Sequence, residues 1–272
     1  MKSRVANSVT NKIVILIVAI LVVTYFLFVT VPLLAVFLRA KPNQIGSQLE
    51  TAGVIEAIKL SMITSASAAA IAFVLAVPSA YFMVTRNFHG KAVIDTLMDL
   101  PIVLPPAVAG VALLYAFAPK GLLGPVLNRF GIILPESIYA VIIAEAFVAS
   151  PFLYRSAKTG FENMDRDVIN SAKMLSGSRL RVFFTVTFPL SIRAIISGAM
   201  MTWARAMGEF GATLMFAGNL PGITTTMPLA IYNLLYYEPE AGVTLSIILI
   251  AISFSVLITV KLLEQKRFGA KK

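Results

Sequence analysis

The ionisable side chains of this protein are few, and those set inside apolar stretches narrow the chemistry quickly. Glu145 interrupts one apolar run; Arg205 and Glu209 interrupt another. An ionisable group at membrane depth is a functional candidate by default, and acids there invite a proton relay. Arg205 and Glu209 are four residues apart, however, so on a helix they share a face and can pair. Counting from Pro189 at about 1.5 Å per residue, Glu209 falls toward the outer leaflet, where a charge costs less. The spacing points to a structural or gate-forming pair rather than a catalytic one. Glu145 has no partner that the sequence names. Other routes to chemistry close. The single histidine, His89, sits in a short polar turn, which leaves no Ser/His/Asp set and no histidine-rich metal centre. There is no cysteine, hence no disulfide framework and no thiolate metal or redox site. No Gly-x-x-x-x-Gly-Lys-Ser/Thr run occurs, so ATP is not bound and hydrolysed by that route. The expectation is no catalytic residue, no metal and no cofactor.

These residues must be held by apolar helices. The chain is 58% hydrophobic and 13% charged, against about 25% charged in soluble domains. It reads as an all-α polytopic membrane protein, one transmembrane domain over 1–272. The six spans expected lie at about 13–38, 56–84, 93–117, 137–154, 190–216 and 242–262. The first apolar run exceeds the roughly 7–15 residues of a signal-peptide core, so it is expected to be a retained helix. Ser61, Ser65 and Ala69 form a small-residue stripe on the second. Pro101, Pro105 and Pro106 interrupt the third, which is either a bent packing helix or a gate element. Residues 118–135 and 217–228 are Gly/Pro-rich loops.

Net charge is +10. Such a balance can signal nucleic acid, but here most of it lies at membrane edges. Of the 23 lysines and arginines, sixteen fall on the side of the termini, five on the opposite side, and Arg193 and Arg205 within the fifth span. The positive-inside rule therefore places both termini, and the segment between spans four and five, in the cytoplasm.

That segment, 165–189, is too patterned for a passive loop. Asp165 is a good N-cap, Asp167 suits a first turn, and Val168, Ala172 and Leu175 fall on one helical face. Ser176-Gly177-Ser178 stops the helix, with Gly177 free to turn left-handed. Arg179 and Arg181 follow among Leu180, Val182, Phe183 and Phe184, and Pro189 marks a bend into the next span. Helix physics leaves two uses open: an amphipathic loop on lipid headgroups, or a docking place for a partner protein.

The segment resembles the cytoplasmic coupling loop of permease subunits of ATP-binding-cassette importers. That family's pattern begins Glu-Ala-Ala-x-x-x-Gly and ends Ile-x-Leu-Pro. Here Asn170-Ser171-Ala172 stands for the opening triplet, Ser176 for the glycine with Gly177 one place late, and Thr187-Phe188-Pro189 for the end. Asn170 is uncharged where the family has glutamate. A second resemblance is longer. Residues 209–232, EFGATLMFAGNLPGITTTMPLAIY, with Ala204-Arg205-Ala206-Met207-Gly208 before them, are closely similar to permeases of molybdate/tungstate importers. The stretch 100–110, LPIVLPPAVAG, points the same way; sulfate permeases are similar but less close.

The resemblance implies a type I importer permease moving molybdate or tungstate across the cytoplasmic membrane. It implies a second copy of the chain, two cytoplasmic ATPase subunits and an extracytoplasmic oxyanion-binding protein that holds most of the selectivity. It assigns coupling to Asp165, Asn170, Ser171, Ala172, Leu175, Ser176, Gly177, Arg179 and Arg181. Pathway or gate candidates are Pro105, Pro106, Arg205, Gly208, Glu209, Gly211, Thr213 and Gly218. A carboxylate at Glu209 repels an anion, so the expected lining is neutral: backbone at the glycines and the Thr213 hydroxyl. The same glycines also suit plain helix packing. Two alternatives use other classes. A sulfate/thiosulfate importer differs only in cargo. A proton-driven secondary transporter would use Glu145 and Glu209, work without an ATPase, and leave 165–189 unexplained. A membrane enzyme is disfavoured by the scarcity of histidine and cysteine.

Overall fold

The computed structural model describes the backbone of residues 2–41, 45–51, 53–176 and 178–268. Side chains are described for these except 2–13, 48, 166, 176 and 263–268. Among the described residues there are helices and turns and no strand. Their order is α1 (Lys2–Arg39), α2 (Ile45–Leu49), α3 (Val54–Thr85), α4 (Lys91–Val103), α5 (Pro106–Phe117), α6 (Gly124–Arg129) and α7 (Ile138–Glu162). Then come α8 (Arg166–Ser176), α9 (Arg179–Val182), a π-helical turn (Phe183–Thr187), α10 (Phe188–Met207), α11 (Gly211–Ala217), α12 (Met227–Tyr237) and α13 (Pro239–Phe268). Five helical stretches are long and apolar enough to cross a membrane, and α4 with α5 make a sixth only if a bent pair is counted as one.

The core lies where α3 crosses α7 and α7 crosses α10. Small residues permit this. Ala68, Ala72, Ala76 and Ala80, four apart on α3, are all buried, as are Ala149, Leu153 and Ala157 on α7. Between lipid-soluble helices, close backbone approach replaces the hydrophobic effect as the source of affinity. Gly198 on α10 shows how close: a Cβ there would stand 2.6 Å from the Ser156 Cβ of α7. Ser156 Oγ donates to the Ala194 carbonyl at 2.7 Å and Thr202 Oγ1 to the Ala149 carbonyl at 3.3 Å, so hydroxyls as well as methyls join these two helices. On α3, Ser61 and Ser65 are buried as expected, but Ala69 is only half-buried and Ala68 takes its place. By contrast, α1 leans on α13 and leaves its apolar side chains from Val14 to Leu38 largely exposed. Lys41, just past α1, is ion-paired with Glu240 at the start of α13.

Four of the expected spans differ, and one helix is added. The third span is not one helix. Pro101 stays inside α4 and is buried, whereas Leu104 and Pro105, each preceding a proline, are extended with ψ 132°. A residue before proline is disfavoured in the helical region, and here two in succession leave it and break the helix. The chain turns by 116° there, and Pro106 starts α5 at a position that needs no N–H. The fifth span begins earlier and ends sooner than 190–216: the helix is continuous from Arg179 to Met207. Pro189 therefore does not interrupt the helix. The π turn before it absorbs the proline, with the Phe188 N–H donating to the Phe183 carbonyl five residues back. The helix then breaks over 208–210 and resumes as α11, which ends at Gly218 with φ +73°, ψ −160°, a conformation essentially reserved for glycine. Finally, α12 occupies residues the sequence left unassigned, packed on α13. The fourth span, as α7, runs on to Glu162 rather than ending at 154, and the sixth begins at Pro239.

Candidate functional site

Two regions hold the candidate residues. The first is the amphipathic α8 with its re-entry. Asp165 Oδ1 accepts from the Asp167 N–H at 2.9 Å, the N-cap bond expected of it. Ser178 caps α9, its Oγ accepting from the Arg181 N–H at 3.4 Å. Gly177 and the Ser176 side chain lie outside the described residues. Asn170, Ser171, Arg179 and Arg181 are exposed and Ala172 is half-buried. Leu175 and its neighbour Met174 are 90% and 88% exposed, and Val168 is exposed too. A helix whose apolar stripe is left largely uncovered by the described residues suits a groove on another protein.

What ties α8 to the bundle is Phe183, to which the sequence reading gave no role. Its ring centroid lies 4.7 Å from Tyr81 of α3, 6.3 Å from Phe161 of α7 and 5.9 Å from Phe188 of α10. Tyr81 and Phe161 also meet edge-to-face at 5.6 Å. One side chain in the π turn thus touches all three central helices. A second fastening joins α4 to α7. Asp95 accepts from the Tyr154 hydroxyl and the Lys158 ammonium, both at 2.6 Å, and Asp99 pairs with Arg155 Nε at 2.7 Å. A signal existed: acids four apart on one segment and cations three apart on the other are complementary helix stripes.

The second region is a buried polar layer between α3, α7, the 208–210 break and the start of α12. Arg205 Nη2 lies 2.7 Å from Glu209 Oε2, the pairing expected from their spacing, although the contact is not aligned as a hydrogen bond. Glu209 Oε1 accepts from the Ala212 N–H at 2.9 Å, so this carboxylate also caps the first turn of α11. It is 1% exposed and is not a bare charge facing a path. Glu145 does have a partner: Thr64 Oγ1 of α3 donates to its Oε1 at 3.0 Å, while its Oε2 has none among the described residues. Ser61 Oγ accepts from the Met227 N–H at 2.7 Å, fixing α12 to α3, and Ser65 Oγ accepts from Trp203 Nε1 at 2.9 Å.

The other candidates separate. Pro105, Pro106 and Gly208 are exposed. Gly211 is a close-packing residue, since a Cβ there would stand 2.8 Å from the Pro106 Cβ. Thr213 is fully buried with its hydroxyl unpartnered among the described residues, and Gly218 ends α11. The structure thus joins Pro106 to Gly211 and Arg205 to Glu209. Among the described residues no cluster of acids, histidines or cysteines has the makings of a metal site.

Comparison with known proteins agrees with this architecture. Residues 72–269 match the family model described as binding-protein-dependent transport system inner membrane component. The chain is 37% identical, over 86% of its length and 88% of the relative's, to the molybdenum transport system permease protein ModB of Mycobacterium tuberculosis. It is 30% identical, over 88% and 92%, to the molybdate/tungstate transport system permease protein WtpB of Thermococcus kodakarensis. Among solved structures, it superposes on a chain of a bacterial alginate ABC transporter in complex with an alginate pentasaccharide-bound periplasmic protein. The TM-score is 0.65 at 14% identity, covering 94% of this chain and 96% of that one. At that identity the likeness speaks for the fold alone, which is that of type I ABC importer permeases.

Proposed function

The chain belongs to the family of binding-protein-dependent transport system inner membrane components, and from that premise we propose that it is the membrane-spanning subunit of an ATP-driven importer of molybdate or tungstate. The observation that carries the cargo is the 37% identity, across most of both chains, to a permease named for molybdenum transport. Two copies form one pathway, two ATPase subunits bind at the α8 ends, and a binding protein delivers the oxyanion from the other side. Both termini face the cytoplasm, a reading that the lysine and arginine asymmetry supports.

The mechanism follows from how the parts are joined. The exposed stripe of α8, with Asp165, Asn170, Ser171, Ala172, Leu175, Ser176, Gly177, Arg179 and Arg181 around it, seats in the ATPase. When ATP draws the ATPases together, α8 moves, and the π turn passes that motion through Phe183 to Tyr81 and Phe161. Packed helices respond as rigid bodies rather than by bending, so the bundle switches between inward- and outward-facing states. The Arg205–Glu209 pair and the Pro106–Gly211 contact belong to the elements that rearrange. A dianion passes among neutral groups, the broken helix backbone near Gly208 and Gly218 and the Thr213 hydroxyl exposed by that rearrangement.

The test is uptake of labelled oxyanion into proteoliposomes containing the chain, its ATPase and its binding protein. ATP-dependent import of molybdate and tungstate is expected. Import of sulfate in preference to molybdate would reassign the cargo, and uptake without any ATPase would reassign the class.

A further inference from the structure

A cavity of about 600 Å³ opens on the surface where the end of α3 meets α8 and α9. Its lining divides sharply by chemistry. Three cations face it from three elements: Arg86 from the C-cap of α3, Lys173 from α8 and Arg179 from the first turn of α9. No acid lines the cavity, and none of the three is in an ion pair among the described residues. The remaining walls are almost wholly apolar. Tyr81 and Phe183 form part of the lining from the aromatic cluster, while Phe82, Leu180 and Phe184 are 53%, 69% and 61% exposed.

We propose that this cavity binds one anionic phospholipid, its phosphate held by Arg86, Lys173 and Arg179 and an acyl chain lying on Phe82, Leu180 and Phe184. Basic pockets at the ends of membrane helices take lipid headgroups because each cation adds attraction while its stem stays against apolar surface. The walls decide between possible anions. A free inorganic anion gains nothing from six apolar or aromatic side chains, and a lipid gains from all of them. Continuity points the same way. Val74, Pro78 and Phe82 are four apart on one exposed face of α3, so the apolar wall runs on along a membrane-spanning helix. Leu180 and Phe184, likewise four apart, extend it on the re-entry. A protein ligand would need apolar side chains at the membrane surface to use these walls. Lipid tails are already there.

Because Lys173 and Arg179 also stand in the segment assigned to ATPase docking, the experiment reads lipid binding and assembly separately. The full complex, stripped of lipid in detergent, is titrated with phosphatidylglycerol or with phosphatidylcholine of the same acyl chains, and bound lipid is counted by native mass spectrometry. One phosphatidylglycerol per chain is expected, held about 100-fold more tightly than phosphatidylcholine, since each cation near a membrane surface is worth about fivefold. Arg86→Gln should lower that affinity about fivefold, and Arg86→Gln with Arg179→Gln about 25-fold. Inorganic phosphate and glycerol 3-phosphate are added as competitors and should displace the lipid poorly. Equal binding of the two lipids by the unmodified complex, a comparison that needs no variant to fold, overturns the proposal. So does displacement by inorganic phosphate at concentrations matching the lipid, which would make this a free-anion site. Loss of the ATPase from the double variant with lipid binding unchanged would make it a protein-docking groove instead.

Discussion

Replacing Phe183 by alanine should separate ATP hydrolysis from transport without dismantling the protein. The ring makes two contacts with other central helices, at 4.7 Å to Tyr81 and 6.3 Å to Phe161. Aromatic pairs of this kind are worth about 0.5–1.5 kcal/mol each, so truncation removes about 1–3 kcal/mol of connection between the π turn and the bundle. A coupling loss of that size changes the balance between engaged and disengaged arrangements by about 5- to 150-fold. The global fold should survive, because Phe183 packs on the edge of the α3–α7–α10 cluster, whose buried members Ala72, Ala76, Leu153 and Ile195 all remain. The assay is the ratio of oxyanion imported to ATP hydrolysed in proteoliposomes, with assembly checked by co-purification of the ATPase. Phe183→Ala should retain assembly and basal hydrolysis and lose at least fivefold in that ratio, whereas Phe254→Ala, a ring on α13 that is 62% exposed, should not. An unchanged ratio for Phe183→Ala would refute the idea that motion passes through this side chain.

Two further outcomes follow from the ion pairs. In a double-mutant cycle on thermal stability, Asp95→Ala and Lys158→Ala should couple by about 1 kcal/mol, since both side chains are partly exposed, and the coupling should shrink in high salt. Additive losses would mean that the pair does not fasten α4 to α7. For Arg205 and Glu209, Arg205→Ala alone should cost about 3–5 kcal/mol, because it leaves the buried Glu209 carboxylate without its counter-charge, and the double variant should be milder. Strictly additive losses in stability and uptake would give each residue its own task and favour the proton-relay alternative.

The chain's membrane character, its helical class and most of its spans follow from composition and from runs of apolar side chains, which act locally and need no partner. The Asp165 cap and the Arg205–Glu209 pair were legible for the same reason: both are set by residues within one turn. Proline chemistry was half legible. Any of Pro101, Pro105, Pro106 and Pro189 can break a helix, but Pro101 remains inside α4 and Pro189 follows a π turn, while the Pro105–Pro106 step turns the chain by 116°. Which prolines are absorbed depends on what neighbouring helices offer the freed backbone, and that is a tertiary property. Glu145 meets Thr64 across 81 residues, Asp95 meets Lys158 across 63, and Phe183 finds Tyr81 on a helix far earlier in the chain. No local rule links such positions, because the register between two helices is fixed by the summed fit of many small side chains along their crossing. Only when α3, α7 and α10 pack is it settled which polar groups face one another and which side chain of the re-entry reaches all three.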